Sequence, residues 1–162
     1  MASVYLGLGS NIDPMRNLRI GIEELRRCFG KLELSRVYRN KAVGFAGADF
    51  LNLVAGLDTD ASPAQIEAEI ERIHKLVGRH RSEEKLASRP LDIDLLLYDD
   101  LVQVEPRPRV PRADVLEYSF VLRPLAEIAP EFVHPVTGKT IEQHWREFDA
   151  TSQPLAPVDL VL

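Results

Sequence analysis

The 162-residue chain has a single cysteine, Cys28, so no disulfide can form within it. Cys28 falls inside an amphipathic helical pattern and reads as a small core residue rather than a reactive thiol. A basic excess is also lacking: 20 Lys and Arg stand against 25 Asp and Glu, a formal net charge of −5. Nucleic-acid binders present the opposite balance, which disfavours that class. No basic–apolar–small segment opens the chain, and no apolar run approaches the ~20 residues of a membrane span. A cytoplasmic protein without membrane attachment is expected. The four histidines show no metal-ligand spacing, and no Ser/His/Asp elbow is present. Gly7-Leu8-Gly9-Ser10-Asn11 lacks the Gly-Lys-Ser/Thr ending of a Walker A loop and the third glycine of a dinucleotide fingerprint. These glycines read instead as room for another backbone to approach the first strand.

What is present is enough for one domain over residues 1–162, with 45% hydrophobic and 28% charged residues. Residues 4–9 read as a buried strand, followed by a helix with Asp13 at its N-cap, Pro14 at its first position and Gly30 as its stop. Leu18, Ile22, Leu25 and Phe29 form its apolar stripe. A second strand is predicted to about Tyr38, a functional loop over 40–49, and a third strand over 50–57. Ser62-Pro63-Ala64-Gln65 has the form of a capping box before a helix to about Val77. Its buried stripe is Ile66, Ile70, Ile73 and Val77, with His74 on the surface or rim. Residues 79–89 read as a charged loop and 91–98 as a fourth strand. Asp99-Asp100 reads as a turn into a short partner strand over 101–104. Prolines 106, 108 and 111 forbid regular structure beyond it, and two short helices come after it over 119–128 and 141–148. The order β-α-β-β-α-β with additions predicts an α+β, ferredoxin-like fold: an antiparallel sheet with helices packed on it. The tail, 151–162, is expected either to dock as an edge strand over 158–162 or to lie loosely.

Asp92 and Asp94 carry the sharpest chemical signal. Two apart in a strand, they project to one face with Cα atoms roughly 6.6 Å apart. Carboxylates so placed can converge on one hard cation or a pair. Arg79, Arg81, Lys85 and Arg89 crowd the segment just before them, and Arg107, Arg109 and Arg112 form a second basic set. A magnesium-bound polyphosphate needs both signs of charge in one place.

Lys85-Leu86-Ala87-Ser88-Arg89-Pro90-Leu91-Asp92-Ile93-Asp94-Leu95-Leu96 resembles the signature of the 6-hydroxymethyl-7,8-dihydropterin pyrophosphokinase family of folate biosynthesis. The resemblance runs from Tyr5-Leu6-Gly7-Leu8-Gly9-Ser10-Asn11 through Phe50-Leu51-Asn52 and Gly78-Arg79-His80-Arg81. It ends at Phe120-Val121-Leu122-Arg123-Pro124-Leu125 and Glu127-Ile128-Ala129-Pro130. It implies the ferredoxin-like fold and transfer of pyrophosphate from ATP to a hydroxymethyl-pterin, with AMP released. It implies two magnesium ions bridged by Asp92 and Asp94, and Arg81 and Arg89 joining them in catalysis. Phe50 and Phe120 match the aromatic pair that sandwiches the pterin, Asn52 matches the amide that reads its polar edge, and Val43 joins this substrate-binding set. Arg79, Arg81, Lys85, Arg112, Tyr118 and His74 are the implied nucleotide-binding set. No partner beyond ATP and the pterin is implied; a monomer is expected, with a dimer left open. The sequence departs from the family pattern in four places. Leu86-Ala87-Ser88-Arg89 stands for Trp-Gly-Pro-Arg, Arg112 for a histidine, Tyr118 for an arginine and His74 for a glutamate. These departures predict an active enzyme that holds ATP more weakly than is typical.

Two other classes remain in view. A degenerate relative could bind pterin or nucleotide without turnover, or take a different hydroxymethyl-pterin; the retained aspartate pair argues against a pure binder. An RNA-binding module shares the element order, but its Lys/Arg-Gly-Phe/Tyr aromatic signature is lacking.

Overall fold

The computed structural model describes residues 1–44, 46–78 and 88–162. Its elements are β1 (Ala2–Ser10), α1 (Pro14–Phe29), β2 (Glu33–Leu34), β3 (Val37–Asn40), β4 (Phe50–Thr59), α2 (Pro63–Leu76), β5 (Asp92–Tyr98), α3 (Asp114–Glu117), α4 (Ser119–Ile128), α5 (Ile141–Glu147) and β6 (Ala156–Val158). The strands form one antiparallel sheet in the order β5-β1-β4-β3-β6, with β2 also paired to β4. No helix among the described residues is long and apolar enough to cross a membrane.

Alternation in the strands gives the sheet two different faces. Val4, Leu6 and Leu8 of β1, Leu51, Leu53 and Leu57 of β4, and Ile93 and Leu95 of β5 pack against Leu18, Ile22 and Leu25 of α1 and Ile66, Ile70 and Ile73 of α2. The opposite face buries Val54, Leu96 and Leu97 under α3, α4 and α5, through Val115, Val121, Leu122, Leu125 and Ile141. Leu96 and Leu97 share that face because the β1–β5 register shifts between Tyr5 and Leu6, setting Tyr5 opposite Leu97 and Leu6 opposite Leu95. A bulge of this kind adds one residue to a strand and re-aims the side chains beyond it.

Most predicted elements are present, and the departures have local causes. Asp13 is the N-cap of α1, but in a left-handed conformation (φ 40°) without a side-chain cap; Asn17 Nδ2 instead donates to the Ile12 carbonyl at 2.7 Å. Cys28 is exposed rather than core. At 100° per residue it lies roughly a quarter-turn off the Leu18–Leu25 stripe, with Sγ 3.2 Å from Glu69 Oε2; burial, then the Glu69 carboxylate, raise its thiol pKa.

The predicted second strand is broken into β2 and β3. At the break the Ser35 hydroxyl takes the Val54 N–H at 2.9 Å, and Glu127 accepts the Arg36 N–H and the Tyr38 hydroxyl, both at 2.8 Å. Val77 falls just beyond α2, whose capping box is formed by Ser62 and Gln65. The predicted 101–104 strand is reduced to a single bridge, Gln103 with Val110. Prolines break the ladder there, and Gln103 Nε2 donates instead to the carbonyls of Pro106 and Pro108 at 2.7 and 3.0 Å. The tail docks earlier than expected, as β6 beside β3, while Leu160 and Leu162 pack on the first core.

Candidate active site

The helices α3 to α5 cover only part of the second sheet face. The remainder opens into a cleft of about 1070 Å³ whose lining includes Gly7, Gly9, Phe50, Asn52, Asp92, Asp94 and Phe120. That volume exceeds what one drug-sized ligand fills, and suits a nucleotide beside a second small molecule.

The floor is set by strand register. Gly9 lies opposite Asn52 on one side and Asp92 on the other; Gly7 lies opposite Val54 and Asp94. Asn52, Gly9 and Asp92 therefore form one row across three strands, which sets the amide and the carboxylate roughly 10 Å apart at about 4.8 Å per strand. A Cβ on Gly9 would collide with Asn52 Oδ1, whereas one on Gly7 would meet the Leu96 side chain at an ordinary 3.5 Å. The glycine thus makes room for a side chain, not for a neighbouring backbone or a phosphate. Asn52 is 7% exposed, and its Nδ2 donates to Asn40 Oδ1 at 2.5 Å.

At the other end each carboxylate is met by a guanidinium. Arg89 donates to Asp92 Oδ2 at 3.0 Å. Arg112 lies 3.6 Å from Asp94 and 3.2 Å from Asp114. Burial alone would lower the Arg112 pKa, but Asp94, then Asp114 and Asp92, carry it upward; the group is held firmly charged. Arg107 and Arg109 line the same cleft.

Phe50, Val43, Phe120, Tyr118 and His74 also line the cleft. Tyr118 stacks on Phe120 with ring centroids 5.0 Å apart and planes 21° from parallel. Both phenylalanines are half-buried, so neither is plain core. His74 is not on the surface: it is 6% exposed, with Nε2 accepting the Ile93 N–H at 2.9 Å. Arg79, Arg81, Lys85, Leu86 and Ala87 lie outside the described residues. Among the described residues no group of three or more His, Cys, Asp or Glu side chains converges as a metal cage.

Sequence reading passed over Asn11 and Asp114. Asn11 Oδ1 accepts the Arg89 N–H at 2.7 Å, and its Nδ2 donates to Ser88 Oγ and the Ala48 carbonyl, both at 3.1 Å. It ties the end of β1 to the segment carrying Arg89 and to the loop before Phe50. Its place in the Gly-Ser-Asn run was the available signal.

Comparison with known proteins bears on the whole of this arrangement. A family model described as 7,8-dihydro-6-hydroxymethylpterin-pyrophosphokinase matches residues 5–130. The chain is 37% identical over 145 residues to the 2-amino-4-hydroxy-6-hydroxymethyldihydropteridine pyrophosphokinase of Aquifex aeolicus, covering 88% of this chain and 90% of that protein. It is 38% identical over 157 residues to the Synechocystis protein of the same name, covering 94% and 80% respectively. The wild-type HPPK-DHPS structure of Plasmodium falciparum shares the fold, with a TM-score of 0.69 at 12% identity over 90% of this chain. This chain spans 44% of that longer one. Because the matched span takes in the aromatic and amide end of the cleft as well as its carboxylates and guanidinium groups, the chain belongs to the 7,8-dihydro-6-hydroxymethylpterin-pyrophosphokinase family.

Proposed function

We propose that the protein transfers pyrophosphate from ATP to the hydroxymethyl group of 6-hydroxymethyl-7,8-dihydropterin, releasing AMP, in folate biosynthesis. The observation that carries this reading is the two-ended cleft. One end has aromatic rings and a buried amide, Phe50, Phe120 and Asn52; the other has two carboxylates and several arginines. A flat heterocycle with a hydrogen-bonding edge suits the first end, and a metal-bound polyphosphate suits the second. The Asn52–Gly9–Asp92 row sets the two ends side by side, so a hydroxyl on the heterocycle can face the phosphate chain. In the proposed step a bond forms between that oxygen and the β-phosphorus, the bond between the β-phosphorus and the α–β bridging oxygen breaks so that this oxygen leaves on AMP, and the hydroxyl proton passes to water. Most of the work is positioning and charge neutralisation.

The donor set fits magnesium. Asp92 and Asp94 offer only hard oxygen ligands on one strand face, and their side chains are 24% and 28% exposed. They would hold two ions shared with the phosphates; when bound, magnesium neutralises charge on the phosphate oxygens. Arg89 and Arg112 would orient the chain of phosphates, with Arg79, Arg81, Lys85 and Tyr118 completing the nucleotide set; His74 drops out of that set, because its two ring nitrogens already meet the Ile93 N–H and Glu71. Val43 would cover the pterin. A ferredoxin-like core is part of the same reading, supported by the order β5-β1-β4-β3 with α1 and α2 on one core.

The test is AMP release from ATP with several hydroxymethyl-pterins, with magnesium and with chelator. Activity is expected only with both pterin and magnesium. Asp92→Asn and Asp94→Asn should each lower turnover by ~10²-fold or more, given the several kcal/mol a metal contributes to transition-state charge. Turnover like wild type in either folded variant, still requiring magnesium, would remove that residue from the metal site.

A further inference from the structure

We propose that His74 is a positioning residue for the Asp92–Asp94 pair, a role that rests on the magnesium–nucleotide reading above. Among the described residues β5 is an edge strand, paired on its β1 side, and an edge strand leaves alternate N–H groups pointing away from the ladder. Ile93 stands between the two carboxylates, and its N–H belongs to the peptide that joins it to Asp92. That N–H donates to His74 Nε2 at 2.9 Å, in a place where the ring is 6% exposed. An Nε2 that accepts must carry a lone pair, so the proton of the neutral ring sits on Nδ1. Nδ1 faces Glu71 Oε1 at 3.5 Å, one helical turn earlier on α2.

The sequence Glu71, His74, Ile93 N–H therefore links a helix to the first of the two peptide planes between the carboxylates. Turning that plane changes ψ of Asp92 and φ of Ile93 together, and with them the relative directions of the two side chains. β1 holds the strand from its inner side, with Leu8 opposite Ile93; His74 holds it from the outer side. A residue in this place acts on metal affinity without touching the metal, as outer partners of ligating groups do.

The test uses Mn²⁺ as a paramagnetic substitute for magnesium and an α,β-methylene analogue of ATP that cannot be cleaved at the reacting bond. Nucleotide-dependent Mn²⁺ affinity, pterin affinity without nucleotide, and hydrogen exchange at the Ile93 amide are measured in wild type, His74→Met and His74→Gln. Met fills the space without a comparable acceptor, whereas the Gln carbonyl reaches about as far as Nε2. His74→Met should weaken Mn²⁺ binding about tenfold or more and speed Ile93 exchange, with pterin affinity kept within about twofold, while His74→Gln stays within about threefold of wild type throughout. If the Met variant does not fold, His74→Asn, whose oxygen is too short to reach, takes its place. Unchanged Mn²⁺ affinity in a folded Met or Asn variant overturns the proposal, as do equal losses in the Met and Gln variants or parallel losses of Mn²⁺ and pterin. Wild-type protein that binds no Mn²⁺ with the analogue overturns the pyrophosphokinase reading itself, and this role with it.

Discussion

At Gly9 there is no room for a methyl group. Its missing Cβ is the space that Asn52 Oδ1 occupies, whereas two residues earlier a Cβ on Gly7 would make an ordinary contact with Leu96. Two glycines on one face of one strand should therefore respond differently to the same change. Gly9→Ala is expected to cost about 1–3 kcal/mol of stability, as overpacking does. It should also lower pterin affinity roughly tenfold by displacing the amide; Gly7→Ala should change pterin affinity little. Calorimetric titration of a pterin into both variants checks this, and equal losses would mean that Asn52 is not held by the gap at Gly9. Asp92 and Asp94 were legible because they alternate with Leu91, Ile93 and Leu95, a pattern carried by neighbours in sequence. Asn11 was not, because its partners Ser88 and Arg89 lie 77 and 78 residues away. Cys28 was misread because a helical stripe has edges, and a small residue near one of them can fall on either side.

Elements with a local code were legible in the same way. Ser62 and Gln65 form the capping box their spacing predicts, a device worth about 1 kcal/mol. The break between β2 and β3 was illegible, since it is fixed by Val54 and Glu127, far along the chain. The turn that leads into α5 shows an element held by a titratable group. His134 Nδ1 accepts the N–H groups of Val136 and Thr137 at 3.2 and 3.3 Å, and Gly138 closes the turn at φ 74°. Burial, then His144, lower the His134 pKa. A histidine depressed in the fold favours the neutral folded state, so the unfolded chain takes up its proton first as pH drops. Its contribution is whole above the ordinary imidazole value of about 6.5 and is lost below it, until pH falls past the folded value. Denaturant midpoints at pH 7.5 and 5.5 should separate less in His134→Asn, which offers Oδ1 to the same two amides and does not titrate. An unchanged separation would free the turn of this dependence.

For the molecule as a whole, two cores on opposite faces of one sheet explain where the cleft must lie. The face under α1 and α2 is closed by aliphatic side chains, and the other is left open where the helices α3 to α5 stop short. Counting strands and helices could not reveal that, because which helix covers which face depends on packing among distant segments. The same is true of the tail, whose apolar residues were visible but whose partner was not. Three residues, Ala156–Val158, sit along the open side of β3, with Pro157 opposite Tyr38. Proline withholds a donor and so makes β6 a poor template for a further strand. Proteolysis after Leu155 would strip this guard away and present Val37–Asn40 as a bare edge. Such clipped chains should stick to one another as their concentration rises, in light scattering at matched concentrations, while uncut chains show no such rise. Equal scattering from both would mean that the edge is harmless. A segment remote from the cleft thus governs how long the protein stays in solution once proteases have reached it.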